Sequence, residues 1–252
     1  MATLRLLILL LAHGSTAQGP PKLTYFKIAG RGELARLYAA VGNLTIQDST
    51  FVVDYKKNTP IGYLPALSHP GSTLFPDCKF KFGCLQESLA VERYIANLAP
   101  GLAGLTPQQR AVDDMFAMIK EDVIHVEPGA MNASVAPALV TPIYDRYLAV
   151  IEELVPEAGF VNGKSFPTGA DLSVIVMLKS GFPFAKALAN AQYEGQKSFP
   201  KTYALADRTM AHPAVASYVA KSPTFYRLLS CTGPGCTWDS EDPDEAPARL
   251  KV

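Results

Sequence analysis

Between Lys22 and Ala99 the apolar positions alternate between strand-like and helix-like spacing. The run "LTYFKI" over 23–28 predicts a strand. "ELARLYAAV" over 33–41 then places Leu34, Leu37, Tyr38 and Val41 at helical spacing and is closed by Gly42. "STFVVDY" over 49–55 and "LPALSH" over 64–69 predict further strands. "KFKFGCL" over 79–85 alternates with period two, and "SLAVERYIANLA" over 88–99 returns to helical spacing. The order is β-α-β followed by β-β-α. A helix between the first two strands demands a parallel pair, and the short spacing of the last two demands a hairpin.

After Pro100 the strand signals stop. "TPQQRAVDDMFAMIKEDVIHV" opens with Thr106, Pro107 at the first helical position and Gln109 three residues after Thr106, a capping-box start. "VTPIYDRYLAVIEELV", "TGADLSVIVMLKSGF" and "HPAVASYVAKS" predict three more helices. The fold class is therefore an α/β N-terminal domain over 22–99 and an all-α domain over 101–229. An acidic, proline-bearing tail over 230–252 reads as solvated.

Composition narrows the function classes. The chain of 252 residues is 48% hydrophobic, and its 23 Lys plus Arg balance its 23 Asp plus Glu. That balance lacks the basic excess a phosphate backbone selects, so nucleic acid is not an expected partner. At the N-terminus, "MATLRLLILLLAHGSTAQ" puts an arginine before a short apolar run and then small residues, the layout of a signal peptide over 1–17. The mature protein is expected in the secretory pathway or outside the cell, with no membrane anchor. Cys78, Cys84, Cys231 and Cys236 form two close pairs, for which three disulfide connectivities exist. "CTGPGC" favours a Cys231–Cys236 bond because its glycines and proline turn the chain back. Neither pair has zinc-ligand spacing, so no metal is expected. Two sequons, at Asn43 and Asn132, accord with secretion.

The ordered motifs "LTYFKIAGRGELAR", "LPAL", "QESLAVERYIA" and "FPTGADLSVIV" resemble those of the cytosolic glutathione transferases, sigma class above all. The resemblance implies a thioredoxin-like N-terminal domain that binds glutathione, a helical domain that holds a small apolar electrophile, and a homodimer. Glutathione would be a co-substrate, with no other cofactor.

The ligand's chemistry fits residues present here. Glutathione carries two carboxylates, an ammonium, two peptide bonds and a thiol. By resemblance, Tyr25 donates a hydrogen bond to the thiolate and Arg31 supports it. The Leu64–Pro65 bond would be cis, offering the Leu64 backbone to the ligand as an added strand would. Ser88 and the free amides at its helix start would hold the γ-glutamyl carboxylate, and Glu87 the neighbouring ammonium. Lys56 or Lys57 would meet the glycine end, and Tyr63 stands where the family has a polar residue. The family's tryptophan near that lysine is missing, because the only tryptophan is Trp238. Ala117 or Met118 falls where an aspartate of the family crosses to the partner subunit. Thr168 and Asp171 read as a structural capping box.

The expected activity is transfer of glutathione to an electrophile, or an isomerisation through the same thiolate. The alternative is a binding or structural protein that keeps this fold without turnover, as in lens crystallins. A thiol oxidoreductase is excluded because "YFKIAGRGE" holds no cysteine at the first strand-to-helix turn.

Overall fold

The computed structural model describes residues 19–50, 55–78 and 83–227. The expected signal peptide, the Cys231–Cys236 pair, the acidic tail and Trp238 lie outside the described residues. Strand β1 (Lys22–Thr24) leads through a tight turn into α1 (Glu33–Val41), and β2 (Gln47–Ser49) precedes the short α2 (Tyr55–Asn58). Strands β3 (Ala66–Ser68) and β4 (Leu85–Gln86) are followed by α3 (Ser88–Leu98). The sheet order is β2-β1-β3-β4. β1 runs parallel to β2 and antiparallel to β3, with Leu23 opposite Leu67, and β4 pairs antiparallel with β3. The parallel pair and the terminal antiparallel pair are those the spacing demands.

Two predicted strands shift. The 49–55 strand is found earlier, at Gln47–Ser49, while Tyr55 opens a helix. β2 is an edge strand that exposes Gln47 and Asp48, so its register follows the hydrogen bonds to β1 and not an apolar pattern. Of the predicted 79–85 strand, the described part contributes only Leu85, which starts β4. Residues 51–54 and 79–82 lie outside the described residues. Cys78 and Cys84, with Cα atoms 4.8 Å apart, are joined in a disulfide that spans this connection.

The helical part comprises α4 (Pro107–Val123), α5 (Glu127–Met131), α6 (Ala136–Leu154), α7 (Gly169–Lys179), α8 (Lys186–Ala191), α9 (Pro200–Ala211) and α10 (Pro213–Lys221). At the start of α4 the Thr106 hydroxyl accepts from Gln109 N at 3.2 Å, and the Gln109 side chain accepts from Thr106 N at 3.0 Å. Helix α7 is buried from Gly169 to Leu178 and packs against α4, α9 and α1. Its start is the expected capping box of Thr168 and Asp171, and α4 reinforces it. Asp171 accepts from Thr168 N at 2.8 Å, while the Thr168 hydroxyl donates to Asp113 of α4 at 2.7 Å, and Asp113 also accepts from Ala170 N. Gly169 is required there because a β-carbon would fall 1.8 Å from Tyr38 Oη of α1.

On the α/β side, Leu34 and Leu37 of α1 are fully buried, each contributing about 1.5–3 kcal/mol. Helix α1 is fastened to the far end of the chain through Glu33, which accepts from Tyr218 Oη at 2.6 Å and from the Thr224 hydroxyl at 2.9 Å. Arg36 bonds Glu33, Asp48 and the Ile28 carbonyl, tying α1 back to β2 and to the turn after β1. That turn, between the sheet and the helical part, is where the candidate site lies.

Candidate functional site

The turn after β1 is a 3-10 helix over Gly30–Gly32. The ring of Tyr25 lies against it so closely that both glycines are required. A β-carbon on Gly30 would fall 2.5 Å from Tyr25 Oη, and one on Gly32 would fall 2.6 Å from Tyr25 Cδ1. Gly30 also has a φ of 42°, in the left-handed region. The close approach brings the Arg31 amide to the phenol, and Arg31 N donates to Tyr25 Oη at 2.9 Å. The phenol oxygen is an acceptor in that bond, so its own proton remains available for a ligand. Burial pushes the Tyr25 phenol up to about 12, with the Arg31 amide and the Arg31 and Arg36 charges opposing. At neutral pH the group is a neutral donor.

Arg31 precedes α1, where the helix dipole disfavours a cation. Its guanidinium is held by the Glu121 carboxylate of α4. Glu121 Oε1 in turn lies 2.8 Å from Lys120 Nζ, an ion pair without hydrogen-bond alignment. Lys120 is fully buried and pairs with the equally buried Glu92 of α3. Burial pushes the Lys120 ammonium down and the Glu92 carboxyl up, each opposed by the charge of the other. Four charges of alternating sign thus run from the turn into the α3–α4 contact.

Two cavities meet at Arg31. The first, about 300 Å³, is lined by Arg31, Tyr63, Leu64, Pro65, Glu87 and Ser88. Tyr63 of its wall is held by Gln86, whose side chain accepts from Ile61 N at 2.9 Å and donates to the Tyr63 carbonyl. The Leu64–Pro65 bond is cis. Glu87 is exposed with a φ of 70° and directly precedes α3, so the buried Ser88 and the first amides of that helix border the cavity. The second cavity, about 280 Å³, has Tyr25, Phe26, Tyr55, Ile124, Glu127 and Phe182 among its walls and shares Arg31, Tyr63 and Leu64 with the first.

Of the residues expected at the site, Tyr25, Arg31, Tyr63, Leu64, Pro65, Glu87 and Ser88 line one cavity or both. Lys56 and Lys57 do not. They sit exposed on α2, and Lys56 Nζ lies 6.0 Å from the centre of the Tyr55 ring. Ala117 is buried and Met118 is 49% exposed, so neither supplies a polar contact. The carboxylate that α4 does bring to the site is Glu121, which the sequence reading missed together with Glu127 and Phe182. One signal was available: Lys120 falls on the buried stripe Phe116, Ile119, Val123, which marks it as an inward-facing cation that needs carboxylates near it. Among the described residues no group of three or more His, Cys, Asp or Glu side chains could hold a metal ion.

The arrangement gives one neutral donor and one paired cation at the junction of a polar cavity and an aromatic one. No family model matches the chain. It is 30% identical over 175 residues to glutathione S-transferase 1 of Ascaris suum, covering 63% of this chain and 79% of that protein. It is 28% identical over 211 residues to the hematopoietic prostaglandin D synthase of Gallus gallus, covering 80% of this chain and 96% of the relative. Among solved structures, the monomeric glutathione S-transferase Na-GST-3 of Necator americanus superposes with a TM-score of 0.62 at 22% identity, over 80% of this chain and 97% of that one.

Proposed function

The chain belongs to the glutathione S-transferase family, as its identity to the Ascaris suum protein shows, and on that premise we propose that Tyr25 activates glutathione at the junction of the two cavities. The observation that carries this reading is the Arg31 amide bond to Tyr25 Oη, which fixes the phenol and leaves its proton free. The first cavity would hold the γ-glutamyl end on Ser88 and Glu87 and the cysteinyl backbone on Leu64. The second would hold the electrophile. With an aryl halide, the thiol proton passes to water and the thiolate sulfur attacks the ring carbon. A C–S bond forms and halide leaves with the electron pair of the broken bond.

A binding protein without turnover is the second reading, favoured by the placement of Lys56 and Lys57 away from both cavities. Retention on immobilised glutathione followed by conjugation of chlorodinitrobenzene separates the two. Retention with turnover supports the enzyme, and retention with none at any pH supports the binding protein.

We read the chain as a secreted homodimer. The apolar leader and the Cys78–Cys84 disulfide support an oxidising compartment. Met115 and Met118, exposed on α4, support a covered face. An intact mass that retains Met1, or light scattering that gives a monomer at micromolar concentration, would overturn the corresponding half.

A further inference from the structure

The second cavity is walled mainly by apolar and aromatic side chains, among them Phe26, Ile28, Ile124 and Phe182. Two formally charged side chains reach it, Arg31 and Glu127. They are not equivalent. Arg31 is already paired with Glu121. The half-buried Glu127 side chain, at the first residue of α5, makes no hydrogen bond and no ion pair among the described residues. Burial pushes its carboxyl up while Arg31 pulls it down. A carboxylate with no partner, facing a cavity of low polarity, favours a ligand that supplies the missing donor or the opposite charge.

We propose that Glu127 sets the charge preference of the electrophile cavity, which takes electrophiles carrying a cationic or hydrogen-bond-donating group and rejects those carrying a carboxylate. This rests on the transferase reading and goes beyond it, because it names the class of second substrate. The same cavity holds Tyr25 and measures about 280 Å³, so an electrophile that meets the thiolate there also meets Glu127. A positive group on it gains the attraction of the carboxylate, and a negative group meets its repulsion, less screened beside a half-buried carboxylate than in bulk water.

The test uses the full chain with three aryl chlorides of one chemistry: neutral chlorodinitrobenzene, anionic chloronitrobenzoate and cationic chloronitrobenzyl-trimethylammonium. Each kcat/KM is divided by the uncatalysed rate with glutathione, which removes intrinsic reactivity. The unaltered protein is expected to favour the cationic over the anionic probe by about tenfold or more, about 1.4 kcal/mol. Glu127→Gln should collapse that ratio toward one, and Glu127→Lys should invert it. Glu127 also stands where an acid stabilises a helix start. That role would move stability and all three rates together and leave the ratio alone. Any effect of Glu127 on the thiolate itself cancels in the ratio for the same reason. An unaltered protein that shows no preference between the charged probes, or a ratio that in both variants stays within twofold of that of the unaltered protein, would overturn the inference while the transferase reading stands. No conjugation of any of the three probes would overturn both.

Discussion

Replacing Tyr25 by Phe removes one oxygen and leaves the ring that Gly30 and Gly32 are shaped to receive. The fold should therefore survive, with a stability loss of about 1 kcal/mol for the Arg31 amide that loses its acceptor. The effect on chemistry should be larger. A free thiol has a pKa of about 8.5, so at pH 7 only a few per cent is thiolate. The phenol, pushed up to about 12, stays protonated throughout the working range and acts as a donor and not as a base. A hydrogen bond from a neutral donor to a charged acceptor contributes about 1.5–3 kcal/mol, or about one to two pH units on the bound thiol. In Tyr25→Phe, the ultraviolet absorbance of bound thiolate should titrate about one to two units higher than in the unaltered protein. The kcat/KM profile should move by the same amount, falling about 10- to 100-fold at pH 7 and recovering at alkaline pH. Recovery is the informative part, because a damaged site would not regain its rate when solvent supplies the thiolate. An unchanged thiolate midpoint in a folded variant that still binds glutathione would remove Tyr25 from the mechanism.

Two further predictions concern the supporting groups. Lys120→Met leaves Glu92 and Glu121 without the cation between them and should cost about 3–5 kcal/mol in urea unfolding, while Glu92→Leu added to it should restore most of that; a double variant no more stable than the single would refute the pairing. Burial raises Asp171 from 3.8 to about 6, so the folded state holds its proton more tightly than the unfolded state does. Its contribution is complete below about pH 4 and is lost as pH rises toward 6. The stability of the unaltered protein relative to Asp171→Asn should therefore fall by on the order of 1–3 kcal/mol between pH 4 and 7, and a pH-independent difference would contradict the raised value.

Several elements could be read directly from spacing. Helix α1 runs over the predicted Glu33–Val41, because Leu34 and Leu37 are buried and Gly42 ends the pattern. Helix α4 starts at the capping box that names it. Other elements were hidden for identifiable reasons. Helix α9 buries Thr202, Leu205, Ala206 and Thr209, so half of its inner face is polar in sequence and breaks the apolar stripe. Helices α5 and α8 are too short to establish a period. The register of β2 depends on hydrogen bonds at an exposed edge, which leave no mark on hydropathy.

The site divided along the same line. Tyr25, Arg31, Leu64–Pro65 and Glu87–Ser88, named through the resemblance, sit at a tight turn, a strand start and a helix start, where the local backbone constrains the sequence, and all of them line a cavity. Lys56 and Lys57 have the same warrant but no local motif beside them, and the structure leaves them exposed on α2. Glu121 and Glu127 escaped notice because a charged residue on a helix reads as a solvated one. Only the tertiary contacts of α4 and α5 turn those two carboxylates toward Arg31 and the second cavity.

The position of Arg31 joins these strands of evidence. Its backbone must be where it is, because the amide that caps the Tyr25 oxygen belongs to a turn with glycine on either side. Its side chain is then committed to the positive end of α1, where an unpaired cation would be unfavourable. Glu121 answers that charge, Lys120 answers Glu121, and Glu92 answers Lys120, each step lying deeper between α3 and α4. The buried pair is thus not an isolated stabilising contact, since an apolar pair of similar volume would hold the helices together as well or better. Its consequence is that Glu121 has a fixed place and Arg31 stays paired. Because Arg31 is held in that chain of pairs, Glu127 is the carboxylate of the second cavity that, among the described residues, no cation pairs directly, and Lys120→Met should alter how Arg31 is held as well as how stable the fold is.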